Sequence, residues 1–573
     1  MVTFTHEFKT DSFQGKTSFP TGLFIDGEWR EGGDKTTIDV VNPTTGKVLT
    51  SIPEATPKDV DIAVKAAQKA FDTVWGLNAS GAQRAELLMK LAQLMEKHAD
   101  ELSAIEAIDN GKTFTWAKNV DIAFSIQTIK YYAGWADKIS GQTIETDEKK
   151  LIYTRHEPIG VVGQIIPWNF PLLMFSWKIA PALATGNTIV LKHIERVARL
   201  VGSRVVRPHM GLPAFVLAPE RRRAGSKGLN RWECAVVVRL QYCSFLRECT
   251  RCAQWVCASD ARMRCCPPNL PPLTALRMTS LIKEAGFPPG VVNVLVGYGP
   301  TVGQAISEHM DIQKVAFTGS TLVGRKIMAA AASSNLKNVT LELGGKSPNI
   351  IFDDADLEQA VNWAAHGIFW NHGQACCAGS RIFVQEGIYD KFLQMFTERT
   401  KNINVGDPFS PGVDQGPQVS QLQYDRIMGY IESGKKDGAT VHVGGNRHGT
   451  EGYFIEPTIF TNTTPEMKIV KEEIFGPVGV VIKFKDEADV LRQANDTVYG
   501  LAAAVFSQNI NRALETAHKL QAGTAWVNCV NQLHANVPFG GFKQSGIGRE
   551  LGEYALHNYT NVKAVHVNLG HRM

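Results

Sequence analysis

Between residues 160 and 352 one pattern recurs: a short apolar run, a turn rich in glycine or proline, a helical stretch, then another apolar run. Residues 160–166 read Gly-Val-Val-Gly-Gln-Ile-Ile, followed by the turn Pro167-Trp168-Asn169-Phe170-Pro171 and a helix leading to Gly186. Residues 188–192, 291–296 and 315–317 are further apolar runs, and residues 273–285 form a helix stopped by Gly286. Runs without polar alternation are strands buried on both faces, and a helix between two of them implies a parallel crossover. The expected fold is therefore α/β, with a doubly wound parallel sheet. The alternation restarts at residues 348–352 after Gly344-Gly345. With 573 residues the chain exceeds the ~250–300 at which single cores stop growing, so a second α/β domain is expected there.

Residues 196–270 break the pattern. They hold 13 Arg and one Lys against four acids, in a chain whose net charge is only +4. Seven of the ten cysteines also fall there, leaving Cys376, Cys377 and Cys529 outside. Three cysteines over the remainder are not a disulfide framework, which points to a reducing compartment. Cys249 and Cys252 have zinc-knuckle spacing, but no second pair follows, so no metal is expected. The basic segment lacks the aromatic and glycine interleaving of a nucleic-acid arm, and no nucleic-acid partner is expected. It reads as sequence foreign to the fold, disordered, and a gene-model artefact such as a retained intron. The first 30 residues show no apolar core of a leader peptide, and no stretch is apolar enough for a membrane span. The chain is thus expected to be cytoplasmic.

Three motifs carry chemistry. Cys376 stands in Gly373-Gln374-Ala375-Cys376-Cys377-Ala378-Gly379, where small neighbours allow close approach of a ligand to the thiol. Gly319-Ser320-Thr321-Leu322-Val323-Gly324 follows a short strand and opens a helix expected from residue 325. Free N–H groups and the positive dipole end make such a turn a pyrophosphate seat, although many strand-to-helix turns are equally glycine-rich. Glu342, flanked by Leu341 and Leu343, would suit general base work if buried; alone it reads as a strand-edge carboxylate facing solvent. Gly344-Gly345-Lys346-Ser347 is not an NTPase loop, because Thr340 stands where that motif needs glycine.

Taken in order, the Pro-Trp-Asn-Phe-Pro turn, the Gly-Ser-Thr turn, Glu-Leu-Gly-Gly-Lys-Ser, Gly-Gln-Ala-Cys-Cys, Glu472-Glu473-Ile474-Phe475-Gly476-Pro477 and Pro538-Phe539-Gly540-Gly541-Phe542 form one series. It resembles the aldehyde dehydrogenase superfamily, nearest its NAD-using tetrameric class for aliphatic aldehydes. The resemblance implies oxidation of a small-molecule aldehyde to a carboxylic acid, with NAD as cofactor and NADP as the alternative. It implies Cys376 as nucleophile, Asn169 and the Cys376 N–H as oxyanion donors, and Glu342 as general base. Cofactor contacts would come from Trp168, Gly319, Ser320, Gly324, Leu343, Glu473 and Phe475. Lys192 and Glu195 would grip the adenosine ribose. Phe170, Met174 and Trp177 would line a substrate tunnel, core packing being the equal alternative for each.

The resemblance further implies a Rossmann-like NAD-binding domain (1–139 and 160–344), a catalytic domain (345–544) and a small β oligomerisation arm (140–159 and 560–573). A homo-oligomer, tetramer or dimer, follows. Because residues 196–270 leave the carboxyl end of a strand beside Lys192 and Glu195, a catalytically impaired homologue is the alternative reading.

Overall fold

The computed structural model describes residues 2–193 and 272–572. Glu195, Cys249, Cys252 and the foreign stretch 196–270 lie outside them.

The first sheet grows outward in two directions from the strand Val161–Ile166. On one side lie Thr188–His193 and then Val292–Val296; on the other lie Lys314–Thr318 and then Asn338–Glu342, all parallel. Short antiparallel strands close both edges, Leu23–Ile25 with Glu28–Arg30 at one and Gly546–Ile547 at the other. Reversal of strand order between Val161–Ile166 and Lys314–Thr318 creates a crevice at their carboxyl ends. Every residue of the strands Val161–Ile166, Thr188–His193, Val292–Val296 and Lys314–Thr318 is buried, which is why their sequences carry no polar alternation.

The helix Pro171–Ala184 is buried along its whole length and starts with proline at its first turn, where the missing N–H is not needed. The strands on either side of residues 194–271 pair in register, with Ile189 opposite Val292 and His193 opposite Val296. Chain re-entry is pinned: Leu273 N–H donates to Asp109 (2.7 Å), Thr274 Oγ1 to Glu106 (2.6 Å) and Arg277 to Glu101 (2.9 Å). All three acids project from the helix Ala99–Asn110, and Asp109 accepts from an N–H that the helix Leu273–Ala285 cannot satisfy internally.

A second sheet has the order Thr440–Val443, Thr458–Thr461, Val478–Phe484, Arg381–Gln385, Pro348–Ile351, Ala502–Phe506, Thr524–Val527, parallel except for the first pair. A third, small sheet pairs Lys150–Pro158 with Thr560–Asn568 over nine residues and adds Thr143–Ile144. Among the described residues no helix is long and apolar enough to cross a membrane.

One expectation is corrected here. The helix expected from residue 325 begins at Thr321 and runs to Ser333, because Ser320 Oγ accepts from the Val323 N–H and caps it. Gly324 therefore lies inside the first helical turn rather than in the connecting loop. Its missing side chain makes room for Leu343, since a Cβ there would stand 2.9 Å from Leu343 Cδ2.

Candidate active site

The crevice at the switch in strand order opens into a cavity of about 110 Å3, and segments far apart in sequence converge on it. From the strand Val161–Ile166 come Trp168 and Asn169, and from the helix behind them Phe170, Met174 and Trp177. From the strand Lys314–Thr318 come Thr318, Gly319 and Ser320, and from Asn338–Glu342 come Glu342 and Leu343. The second sheet's side supplies Cys376 and Cys377, with Glu473 and Phe475 at the rim.

The thiol's approach run is built on left-handed backbone. Asn371 (φ 49°), His372 (φ 59°) and Gly373 (φ 70°) follow one another in that region. Two consecutive non-glycine residues there are costly and persist only where the surroundings fix them. Here Asn371 Nδ2 donates to the carbonyls of Asn169 and Gln374, both at 3.1 Å, while His372 Nε2 accepts from the Gly416 N–H. Asn169 Nδ2 also donates to the Gln374 carbonyl (2.9 Å), so one of its two amide N–H groups faces the run that carries Cys376. The hydrogen bond that the Cys376 thiol donates to the Cys377 sulfur, together with burial, holds the Cys376 thiol well above its ordinary pKa. Cys377 itself is buried and donates to Asn531 Oδ1 (3.3 Å).

Glu342 is 5% exposed, and neither carboxylate oxygen has a hydrogen-bond partner. The solvent-facing reading of this residue is overturned, because Gly546–Ile547 pairs beyond its strand and removes that edge from water. Burial and the charge of Glu550 push its pKa well up, opposed by Lys178 and Arg549. A neutral acid in an apolar wall is a proton donor at rest and a strong base once ionised.

Glu473 approaches closely because residue 344 is glycine: a Cβ there would stand 2.2 Å from the Glu473 carboxylate. The Gly345 N–H donates to Glu473 Oε1 (3.0 Å), while burial raises the group to about 7. Phe475 is held at φ 63°, a strained value for a bulky residue, by Gln423 Nε2 donating to its carbonyl (2.7 Å). Its ring meets Trp168 edge-on at 5.3 Å.

Phe170, Met174 and Trp177 line the cavity and also belong to the main core. Trp370 stacks at a tilt on Phe170 (5.1 Å), and Phe539 meets Trp177 edge-on (5.6 Å). Lys192 is buried at the end of its strand but does not line this cavity; its stem runs past Gly303. Several lining residues escaped sequence reasoning. Gln423 and Arg426 share one helix face three residues apart, a spacing common to any exposed helix, and Leu533 carries no motif. Phe539 stands within the recognised Pro-Phe-Gly-Gly-Phe run and was findable there.

Known proteins match this chain over most of its length. The sequence model of the Aldehyde dehydrogenase family matches residues 29–217 and 263–565. The unmatched interior thus falls inside 196–270. An aldehyde dehydrogenase of Agaricus bisporus is 65% identical over 570 residues, covering 100% of this chain and 99% of the relative. One of Emericella nidulans is 54% identical, covering 96% of each. The solved NAD+ complex of an aldehyde dehydrogenase from Bacillus cereus superposes with a TM-score of 0.82 at 45% identity, covering 96% of this chain and 97% of that one. With a family match over most of its length and relatives of this identity, the chain belongs to the aldehyde dehydrogenase family.

Proposed function

We propose that this protein oxidises an aldehyde to a carboxylic acid with NAD, through a covalent intermediate on Cys376. The observation that carries this reading is the convergence of a thiol (Cys376), an unpartnered buried carboxylate (Glu342) and a side-chain amide (Asn169) on one cavity. Gly319 and Ser320 open the 13-residue helix Thr321–Ser333 at its wall.

The residues present fit a dinucleotide. The helix N-terminus offers N–H groups to a pyrophosphate, and Thr318 Oγ1 beside it is buried with no partner. Glu473, brought in by Gly344, suits a ribose hydroxyl, with Trp168, Leu343 and Phe475 flanking it. A nicotinamide held there would supply the hydride acceptor for oxidation of the carbon bound to Cys376.

The chain's own groups do the rest. Cys376 Sγ attacks the carbonyl carbon once its proton is removed, and burial makes that proton hard to lose without a base. The free Asn169 amide N–H and the Cys376 backbone N–H stabilise the oxyanion; losing one such donor typically costs ~10²–10³ in rate. Glu342 takes a proton from the water that opens the thioester. Phe170, Trp177, Trp370 and Phe539 exclude bulk water and select an apolar aldehyde.

Lys192, and Glu195 beyond the described residues, are assigned to the adenosine end. The domains follow the sheets: cofactor binding on the first, catalysis on the second. The Lys150–Pro158 and Thr560–Asn568 arm serves a homo-oligomer, with Leu151, Val562 and Val567 exposed along it. The test is NADH formation from an aliphatic aldehyde by the full chain, by Cys376→Ser, and by a chain lacking 196–270. Activity lost only in Cys376→Ser supports the proposal. Activity confined to the shortened chain supports the impaired reading, and none in either refutes the proposal.

A further inference from the structure

The turn carrying Asn169 and Phe170 begins a buried helix without a cap of its own. Phe170 occupies the N-cap position and makes no side-chain hydrogen bond there. Its two preceding carbonyls are tied instead by side chains from elsewhere. Asn110 Nδ2 donates to the Trp168 carbonyl (2.8 Å), and Lys112 Nζ donates to the Asn169 carbonyl (3.2 Å), which also accepts from Asn371 (3.1 Å). Asn371 belongs to the run leading to Cys376, so Lys112 is the independent anchor of this peptide.

Lys112 is itself fully determined. It is 1% exposed; its ammonium donates to Asp121 (2.6 Å) and the Asn169 carbonyl (3.2 Å) and forms a longer ion pair with Glu106 (3.5 Å). Its ammonium also lies 4.5 Å from the centre of the Phe170 ring. Asp121 reaches it from Ala117–Ile122, a wide π-helical turn between Phe114–Trp116 and Ala123–Ala133. Such bulges weaken a helix and occur frequently at functional sites. A buried ammonium with two carboxylates is no gain in stability over apolar packing. Both costly features converge on one peptide bond, that between Asn169 and Phe170.

We propose that Lys112 is a positioning residue for aldehyde oxidation: clamped by Asp121 and Glu106, it fixes the Asn169 peptide and thereby aims the Asn169 amide at the oxyanion. This rests on the function proposed above for the site. Lys112 touches neither the thiol nor the cavity; it acts through Asn169. Removing it frees the peptide to rotate, so the amide samples directions in which it no longer meets the developing charge.

The test is a double-mutant cycle in the full chain, pairing Lys112→Met with Asn169→Ala, with backbone amide exchange at residues 168–170 as a second readout. Lys112→Met is expected to lower kcat and kcat/KM together by about 10–100-fold, since only a transition-state contact is lost. In the Asn169→Ala background the same change should cost less than about threefold. Exchange at 168–170 should accelerate while the strand Val161–Ile166 stays protected. Equal losses in both backgrounds would overturn the proposal, as would unchanged exchange. If Lys112→Met fails to fold, Asp121→Asn, which keeps the lysine and the shape, replaces it in the cycle under the same criteria. Exchange is read whether or not the protein turns over. If the wild type proves wholly inactive, faster exchange in the variant would refute the function and leave the tether standing.

Discussion

Gly540 lies against the Glu342 carboxylate so closely that a Cβ there would stand 2.7 Å from Oε1. The Gly548 carbonyl (2.8 Å) and the Arg549 side chain (2.9 Å) crowd the same position. Gly540→Ala must therefore displace Glu342 or strain the loop, costing about 1–3 kcal/mol by overpacking. With Glu342 displaced, thioester hydrolysis slows while its formation survives. Rapid-quench kinetics should show a burst of NADH followed by a steady rate reduced at least tenfold. A lost burst would assign Glu342 to the earlier step.

The neighbouring Cys377 thiol is the first cause of the high Cys376 pKa. Cys377→Ala removes it, so the alkylation rate of Cys376 by iodoacetamide should reach its midpoint at lower pH than in wild type. The lost hydrogen bond to Asn531 costs about 1–2 kcal/mol, measurable as a lower urea midpoint. An unshifted alkylation profile would contradict the coupling.

Glu342 titrates above the ordinary carboxyl value of 4.5 in the folded chain. The folded state holds this proton more tightly, so stability from it is complete below 4.5 and lost as pH climbs toward the raised value. Glu342→Gln, which cannot ionise, should gain on wild type in urea unfolding as pH rises through that window. Its turnover should be nearly abolished, whereas wild-type kcat/KM climbs with pH as Glu342 and Cys376 ionise. A pH-independent stability difference would place Glu342 outside this titration.

Ser320 caps the helix Thr321–Ser333 at the cavity wall. Ser320→Ala should cost about 1 kcal/mol of stability. It should also raise the Kd for NAD severalfold, read by quenching of protein fluorescence. An unaltered Kd would move the pyrophosphate away from this turn.

Much of the sheet was legible because full burial leaves a plain mark: strands without alternation, bounded by glycine and proline. Residues 161–166 and 348–351 were readable for that reason. The thiol run and the Glu342 run were likewise found as motifs, but their meeting was not, because convergence depends on switch-point topology that local pattern does not carry. Gly324 was misplaced because a serine cap four residues earlier outweighs a glycine as the signal for a helix start. Lys112 was invisible: in sequence it follows Asn110-Gly111 like any helix-terminal lysine, and its partners lie 9 and 57 residues away.

The three acids that receive Leu273, Thr274 and Arg277 have a consequence for covalent continuity. The strands Thr188–His193 and Val292–Val296 are joined laterally, and the re-entering helix is fastened to the helix Ala99–Asn110. Alignment of the two halves is thus enforced across space rather than along the peptide. A chain cleaved between residues 193 and 272 would keep its fragments associated through the same ladder and the same three carboxylates. In that sense the interval between His193 and Pro272 is a natural seam, where the polypeptide could be opened or given new ends without unmaking the ladder between the flanking strands.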